Sequence, residues 1–202
     1  MTTLLGGFNQ APNTTPLNPD EFARLIPTLA TQAELNEYER LNILEARKWV
    51  FSQRVFSRVN PITEQFLRVL HKRMFNRTWR CAGVYRSTNK SIGVEFYQIR
   101  NLVPALLADV RYWVDNKTFA ADEIATRFHH RLVWIHAFPN GYGRHARLLA
   151  DAVVAKLGRE PFSWGSKELV DAGPVRDEYI RCLKLADENN DNIQPLLKFA
   201  RS

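Results

Sequence analysis

The sequence predicts an all-α protein, mainly a helical bundle, with one small β-hairpin, and three observations carry that prediction. Apolar residues recur at helical spacing through most segments, as in Ile62, Phe66, Val69 and Leu70 or Ile124, Phe128, Leu132 and Ile135. Helix-start signals precede several of these stripes. A single stretch, 84–97, is instead rich in β-formers around a turn-like Ser87-Thr88-Asn89-Lys90. At 202 residues and 45% hydrophobic content the chain suits one packed domain, with no internal repeat and no linker long enough to divide it.

Residues 1–19, rich in Thr, Asn, Pro and Gly, read as a flexible N-terminal arm, and 20–202 as the domain. Asn18-Pro19-Asp20-Glu21 starts a short helix to about Leu25. Thr31 with Glu34 forms a capping box for a long helix to about Phe56, expected to turn Leu35, Leu41, Leu44 and Phe51 inward. Asn60-Pro61 opens the next helix, with His71 at the edge of its apolar stripe as a structural histidine. After the hairpin, Leu102–Val114 and Asp122–Ile135 are helical. The adjacent His129 and His130 do not share a helix face, so they do not read as a metal pair. Ala146–Leu157 is a further helix stopped by Gly158; Pro161–Gly165 is an aromatic loop; Pro174 opens a helix, and Ile193–Ala200 closes the chain.

The formal net charge of +7 is uneven, since residues 51–100 hold ten Lys and Arg against two acids. That block suits a nucleotide, an acidic protein or nucleic acid, or is a solvated basic face; no helix-turn-helix or zinc spacing accompanies it. Cys81 and Cys182 lack metal spacing and read as reduced core thiols. The N-terminus has no basic start or sustained apolar run, and no eighteen apolar residues are consecutive, so a cytoplasmic location is expected.

Function concentrates in 136–147, a loop between two helices reading His136-Ala137-Phe138-Pro139-Asn140-Gly141-Tyr142-Gly143-Arg144-His145-Ala146-Arg147. Gly141 and Gly143 free the backbone for positive φ and close ligand approach, while the following helix aims its unpaired amides at the loop. Arg144 and Arg147, three apart, share a face and suit phosphate oxygens. A neutral His136 can take a proton from an incoming hydroxyl. A base beside a polyphosphate cradle points to nucleotide transfer.

These residues resemble the signature of the Fic family (Fic/Doc superfamily), His-x-Phe-x-Asp/Glu-Gly-Asn-Gly-Arg-x-x-Arg, at His136, Phe138, Gly141, Gly143, Arg144 and Arg147. Leu70–Phe75, Trp79–Arg86, Ser91–Val94 and the ending Pro195–Ser202 are similar to its mobile mystery protein B subfamily. The resemblance implies a Fic-like fold and protein adenylylation, the transfer of AMP from ATP to a Ser, Thr or Tyr hydroxyl. It implies His136 as base; Asn140, Gly141, Tyr142, Gly143, Arg144 and Arg147 around the nucleotide; Phe138 as anchor. Ser91, Ile92, Gly93 and Val94 would lie in a flap that docks the target's backbone as an added strand. It further implies Mg²⁺ or Mn²⁺ with the ATP, a target protein with a flexible hydroxyl-bearing loop, and a regulatory helix-turn-helix partner. Two positions depart from the signature. Asn140 replaces the metal-binding acid, a weaker neutral ligand that leaves the ion mostly to the nucleotide phosphates. Tyr142 replaces the asparagine between the glycines and is able to stack on a base, fill the pocket or block it. Glu34 is the candidate for the family's inhibitory glutamate, against its simpler capping role. A Fic-related phosphotransferase, an inactive nucleotide- or partner-binding module, and nucleic-acid binding through the basic block stay open.

Overall fold

The computed structural model describes residues 22–29, 31–166, 173–188 and 192–202. The arm 1–19 and the first residues of the helix expected after Asn18 lie outside them. The described residues form eight α-helices: α1 Gln32–Val50, α2 Gln53–Phe56, α3 Glu64–Phe75, α4 Ile99–Asp115, α5 Ala121–Ile135, α6 Tyr142–Lys156, α7 Pro174–Glu188 and α8 Gln194–Arg201. Among them no helix is long and apolar enough to cross a membrane.

The helices begin where local chemistry satisfies their first amides. Thr31 Oγ1 accepts from the Glu34 amide at 3.2 Å, and Glu34 Oε2 accepts from the Thr31 amide at 3.1 Å, so Glu34 completes the capping box of α1. Thr63, three residues beyond the expected start, caps α3 by accepting from the Phe66 amide at 3.2 Å. The long helix expected to reach Phe56 breaks instead at Phe51 and Ser52, and α2 is a separate turn.

At the centre α5 packs along α6, with α1 on α3, α4 on α5 and α8 on α7. Phe128, Ile135, Leu149 and Val153 are fully enclosed there, each contributing about 1.5–3 kcal/mol by burial. The register of α1 differs from the expected one. Leu41 and Leu44 stay 50% and 42% exposed, while Leu35, Glu39, Asn42, Ala46 and Val50 turn inward. Polar burial is favoured here because partners wait on the other side: Asn42 donates to the Arg73 carbonyl at 3.0 Å and accepts from the Arg77 amide at 3.1 Å.

The expected hairpin at 84–97 is not formed. Among the described residues the β pairing is one isolated bridge, Leu25 to Trp79. The cause is capture of the would-be ladder groups by other partners. The Arg86 amide donates to the Ala137 carbonyl at 3.0 Å, and its guanidinium donates to the carbonyls of His136 at 2.7 Å, Thr88 at 3.0 Å and Val94. Asn89 Oδ1 accepts from the Phe96 amide at 2.9 Å. One buried fork thus ties this segment to the loop after α5, and its β-formers have no strand to pair with.

Candidate functional site

The loop between α5 and α6 is shorter than its sequence suggested, because α6 begins at Tyr142, and Gly143, Arg144 and Arg147 belong to that helix. Both ends of the loop are left-handed: His136 at φ 53° closes α5, and Gly141 at φ 66° opens α6. Gly141 is required on two counts, since a Cβ there would lie 2.1 Å from the Phe75 ring. Gly143 does not take the positive φ expected of it, and a Cβ there would meet Arg147 Nη1 and the Tyr179 hydroxyl at 3.8 and 3.9 Å, ordinary contact distances, so neither backbone nor packing requires glycine at this position. With no side-chain cap at Gly141, the first amides of α6 remain available to an anion.

Aromatic packing fixes the loop from beneath. Phe138 is buried and its ring lies 3.8 Å from that of His71 and 5.1 Å from that of His145. The Gly83 amide donates to His71 Nδ1 at 2.9 Å, so Nε2 carries the proton and donates to the Asn140 carbonyl at 3.0 Å. His145 Nε2 meets the Leu67 carbonyl at 2.9 Å. His71 is structural as expected, and what it structures is the loop itself.

His136 is fully buried, its ring 3.6 Å from that of Tyr142 and its Cβ pressed against Gly93, where an added Cβ would stand 2.5 Å away. Neither imidazole nitrogen has a partner in hydrogen-bonding geometry, although the Ile92 backbone is close enough to act on the ring. Burial first, then the Arg86 and Lys90 charges, push its pKa down to about 3, so the imidazole is neutral across physiological pH.

The two arginines meet different neighbours. Arg144 Nη2 pairs with Glu39 Oε2 at 2.5 Å; Glu39, on α1, is 3% exposed and also accepts from Trp79 Nε1 at 2.6 Å. Glu34 makes its capping contact at the start of the same helix; the glutamate that reaches a motif arginine is Glu39, and it reaches the first of the pair. Arg147 lies against Tyr179, its Cζ 5.2 Å from the ring centroid. Sequence reasoning missed Glu39, yet a signal existed: Leu35, Glu39, Asn42, Ala46 and Val50 share one helical spacing with three small or apolar members. Arg86 and Tyr179 were missed for want of any local signal.

Beside the loop opens a cavity of about 310 Å³, lined by Ser91, Ile92 and Gly93, by Val133 and Trp134 of α5, by Tyr142, and by Ile180 and Lys184 of α7. Its apolar walls and few polar groups suit a compact ligand. Val94, expected with 91–93, is buried beneath this rim. Among the described residues no three His, Cys, Asp or Glu side chains cluster to hold a metal. Asn140 offers one neutral amide oxygen, and its buried Nδ2 lacks a partner. This donor set does not fit a resident divalent ion, which prefers several anionic oxygens.

Residues 61–154 match the model of the Fic/DOC family, and the helical core that presents this loop at the start of a helix is similar to that family's domain. The chain is 27% identical over 169 residues to a protein adenylyltransferase Fic from Nematostella vectensis, covering 82% of this chain and 37% of that protein. It is 31% identical over 121 residues to the protein adenylyltransferase fic-1 of Caenorhabditis briggsae, covering 58% of this chain and 22% of that one. It therefore spans well under half the length of these curated relatives. The fold is shared with the N-terminal Fic domain of a VirB-translocated effector protein from Bartonella quintana with bound ADP, at TM-score 0.61, 16% identity and 86% coverage of each chain.

Proposed function

We propose that the chain is a protein adenylyltransferase, moving AMP from ATP to a Ser, Thr or Tyr hydroxyl of a target protein. The observation that carries this reading is the meeting of three things at one loop: a neutral buried imidazole, a helix start with two arginines, and an apolar cavity beside Tyr142. The adenylyltransferase relatives and the nucleotide-bound neighbour support it.

In this reading the nucleoside enters the cavity and the polyphosphate lies along the first turn of α6. His136 takes the proton of the target hydroxyl, whose oxygen bonds to the α-phosphorus as the bond to pyrophosphate breaks. The α6 amides and Arg144 neutralise charge on the departing pyrophosphate, and Arg147 holds its terminal phosphate. Phe138 anchors the loop and does no chemistry. Mg²⁺ or Mn²⁺ belongs to the incoming nucleotide, with Asn140 at most an auxiliary ligand. Segment 91–93 and Tyr142 cover His136 in the resting chain, so the target and nucleotide must displace them; the exposed backbone around Ile92 is where an extended target segment docks. Glu39 competes with phosphate for Arg144. The subfamily placement with mobile mystery protein B, a helix-turn-helix partner and a cytoplasmic location belong to the same proposal.

The test is incubation of the chain with ATP labelled at the α-phosphate, in lysate, beside His136→Ala. The expected outcome is label on a protein, reduced about a thousandfold in the variant. Binding of nucleoside triphosphates without any label would instead favour the second reading, an inactive nucleotide-binding module, which the Tyr142 ring lying over His136 favours.

A further inference from the structure

Arg147 is a half-buried cation without a paired carboxylate among the described residues: Asp151, one turn on, is already engaged by Arg47 at 2.7 Å. What meets it is Tyr179 of α7. The guanidinium lies over the phenol ring, and the Tyr179 hydroxyl and Arg147 Nη1 converge beside Gly143 at the first turn of α6. The same hydroxyl stands 3.0 Å from Nε2 of His129, which is fully buried. Burial and the Arg147 charge keep that imidazole neutral. A guanidinium has donors only, so the phenol oxygen accepts from Arg147, and with the neutral imidazole carrying its proton on Nδ1 the phenol donates its own to His129 Nε2. The rings are held in turn, Trp164 packing on His129 at 4.6 Å and Phe199 on Tyr179 at 5.7 Å.

We propose that Tyr179 is a positioning residue for Arg147, and that His129 fixes Tyr179, so that a neutral phenol–imidazole pair aims the second motif arginine at the terminal phosphate of the nucleotide. The inference rests on the nucleotide reading above. A carboxylate in this place would orient the guanidinium and cancel its charge together. A phenol orients it and leaves the full positive charge for the ligand. If Tyr179 merely filled the core, its hydroxyl would be irrelevant to which nucleotide binds.

The experiment is calorimetric titration of ATP and of AMP into the full chain, comparing wild type, Arg147→Ala, Tyr179→Phe, His129→Leu and His129→Gln. Tyr179→Phe keeps the ring and its packing. It is expected to weaken ATP about tenfold and leave AMP unchanged, since AMP has no phosphate that reaches Arg147. His129→Leu should give the same selective loss, and His129→Gln, which retains an acceptor, should restore most of it. AMP binding by the same sample reports whether the site is folded. Equal loss for both nucleotides in Tyr179→Phe, or loss for neither, overturns the positioning role. A wild type that does not prefer ATP over AMP overturns the nucleotide reading and this inference with it, whereas a preference undiminished in Arg147→Ala overturns this inference alone.

Discussion

The two arginines of α6 sit three residues apart, yet their surroundings are opposite in kind. Arg144 faces α1 and is neutralised by the buried carboxylate of Glu39; Arg147 faces α7 and is oriented by the neutral Tyr179 and His129. The first arrangement holds a cation by charge and discounts that charge for any ligand. The second holds one by shape and keeps the charge for use. A single helical turn thus carries one arginine that a phosphate must win from a competitor and one that is free to attract it.

The largest effect expected tests the neutrality on which the Arg147 side depends. All five histidines, His71, His129, His130, His136 and His145, have pKa values lowered chiefly by burial, to about 4 for His145 and about 3 for His136. Groups whose folded pKa is depressed contribute stability above the unfolded value near 6.5 and lose it as pH falls toward the folded value. Each withdraws up to about 1.4 kcal/mol per pH unit in that window. Cooperative acid unfolding is therefore expected at about pH 5, followed by circular dichroism; a chain still folded at pH 4 would mean that burial depresses these imidazoles too little to drive unfolding.

A smaller effect separates the two sides directly. Arg144→Ala leaves the Glu39 carboxylate buried with Trp79 as its remaining partner, and should cost about 3 kcal/mol in denaturant unfolding. Arg147→Ala strands no carboxylate and should cost about half as much. Equal costs would erase the distinction. Adding Glu39→Gln to Arg144→Ala should recover most of the loss, because the amide still accepts from Trp79.

The smallest effect is on binding. Glu39→Gln alone releases Arg144 from its ion pair, and ATP affinity should rise about threefold to tenfold, the size of one charge-assisted contact given up by a competitor. Titration calorimetry reads it; unchanged or weakened ATP binding would recast Glu39 as a support that holds Arg144 ready.

Much of this was legible in the residues. Helix stripes such as Phe128, Leu132 and Ile135 place themselves, because a 3.6-residue period with apolar members has one way to bury them. The capping box at Thr31 and Glu34 was equally local. The failures share one cause. Leu41 and Leu44 read as inward because apolarity is the visible signal, whereas α1 turned Glu39 and Asn42 inward to meet partners between 31 and 105 residues away. The β-formers of 84–97 read as a hairpin because pairing between neighbours is the short-range option, and Arg86 offered their carbonyls something else.

The sequence by itself determined the helical class, the presence of a loop after His136 and the chemical types gathered at 136–147, since these follow from periodicity, glycine backbone freedom and side-chain chemistry within a few residues, though not that α6 starts as early as Tyr142. The tertiary structure decided which arginine is neutralised, what covers His136 and which phenol meets Arg147. Those depend on contacts between α1, α5, α6 and α7, and the free energy of a buried polar group is set by whichever partner the fold brings to it.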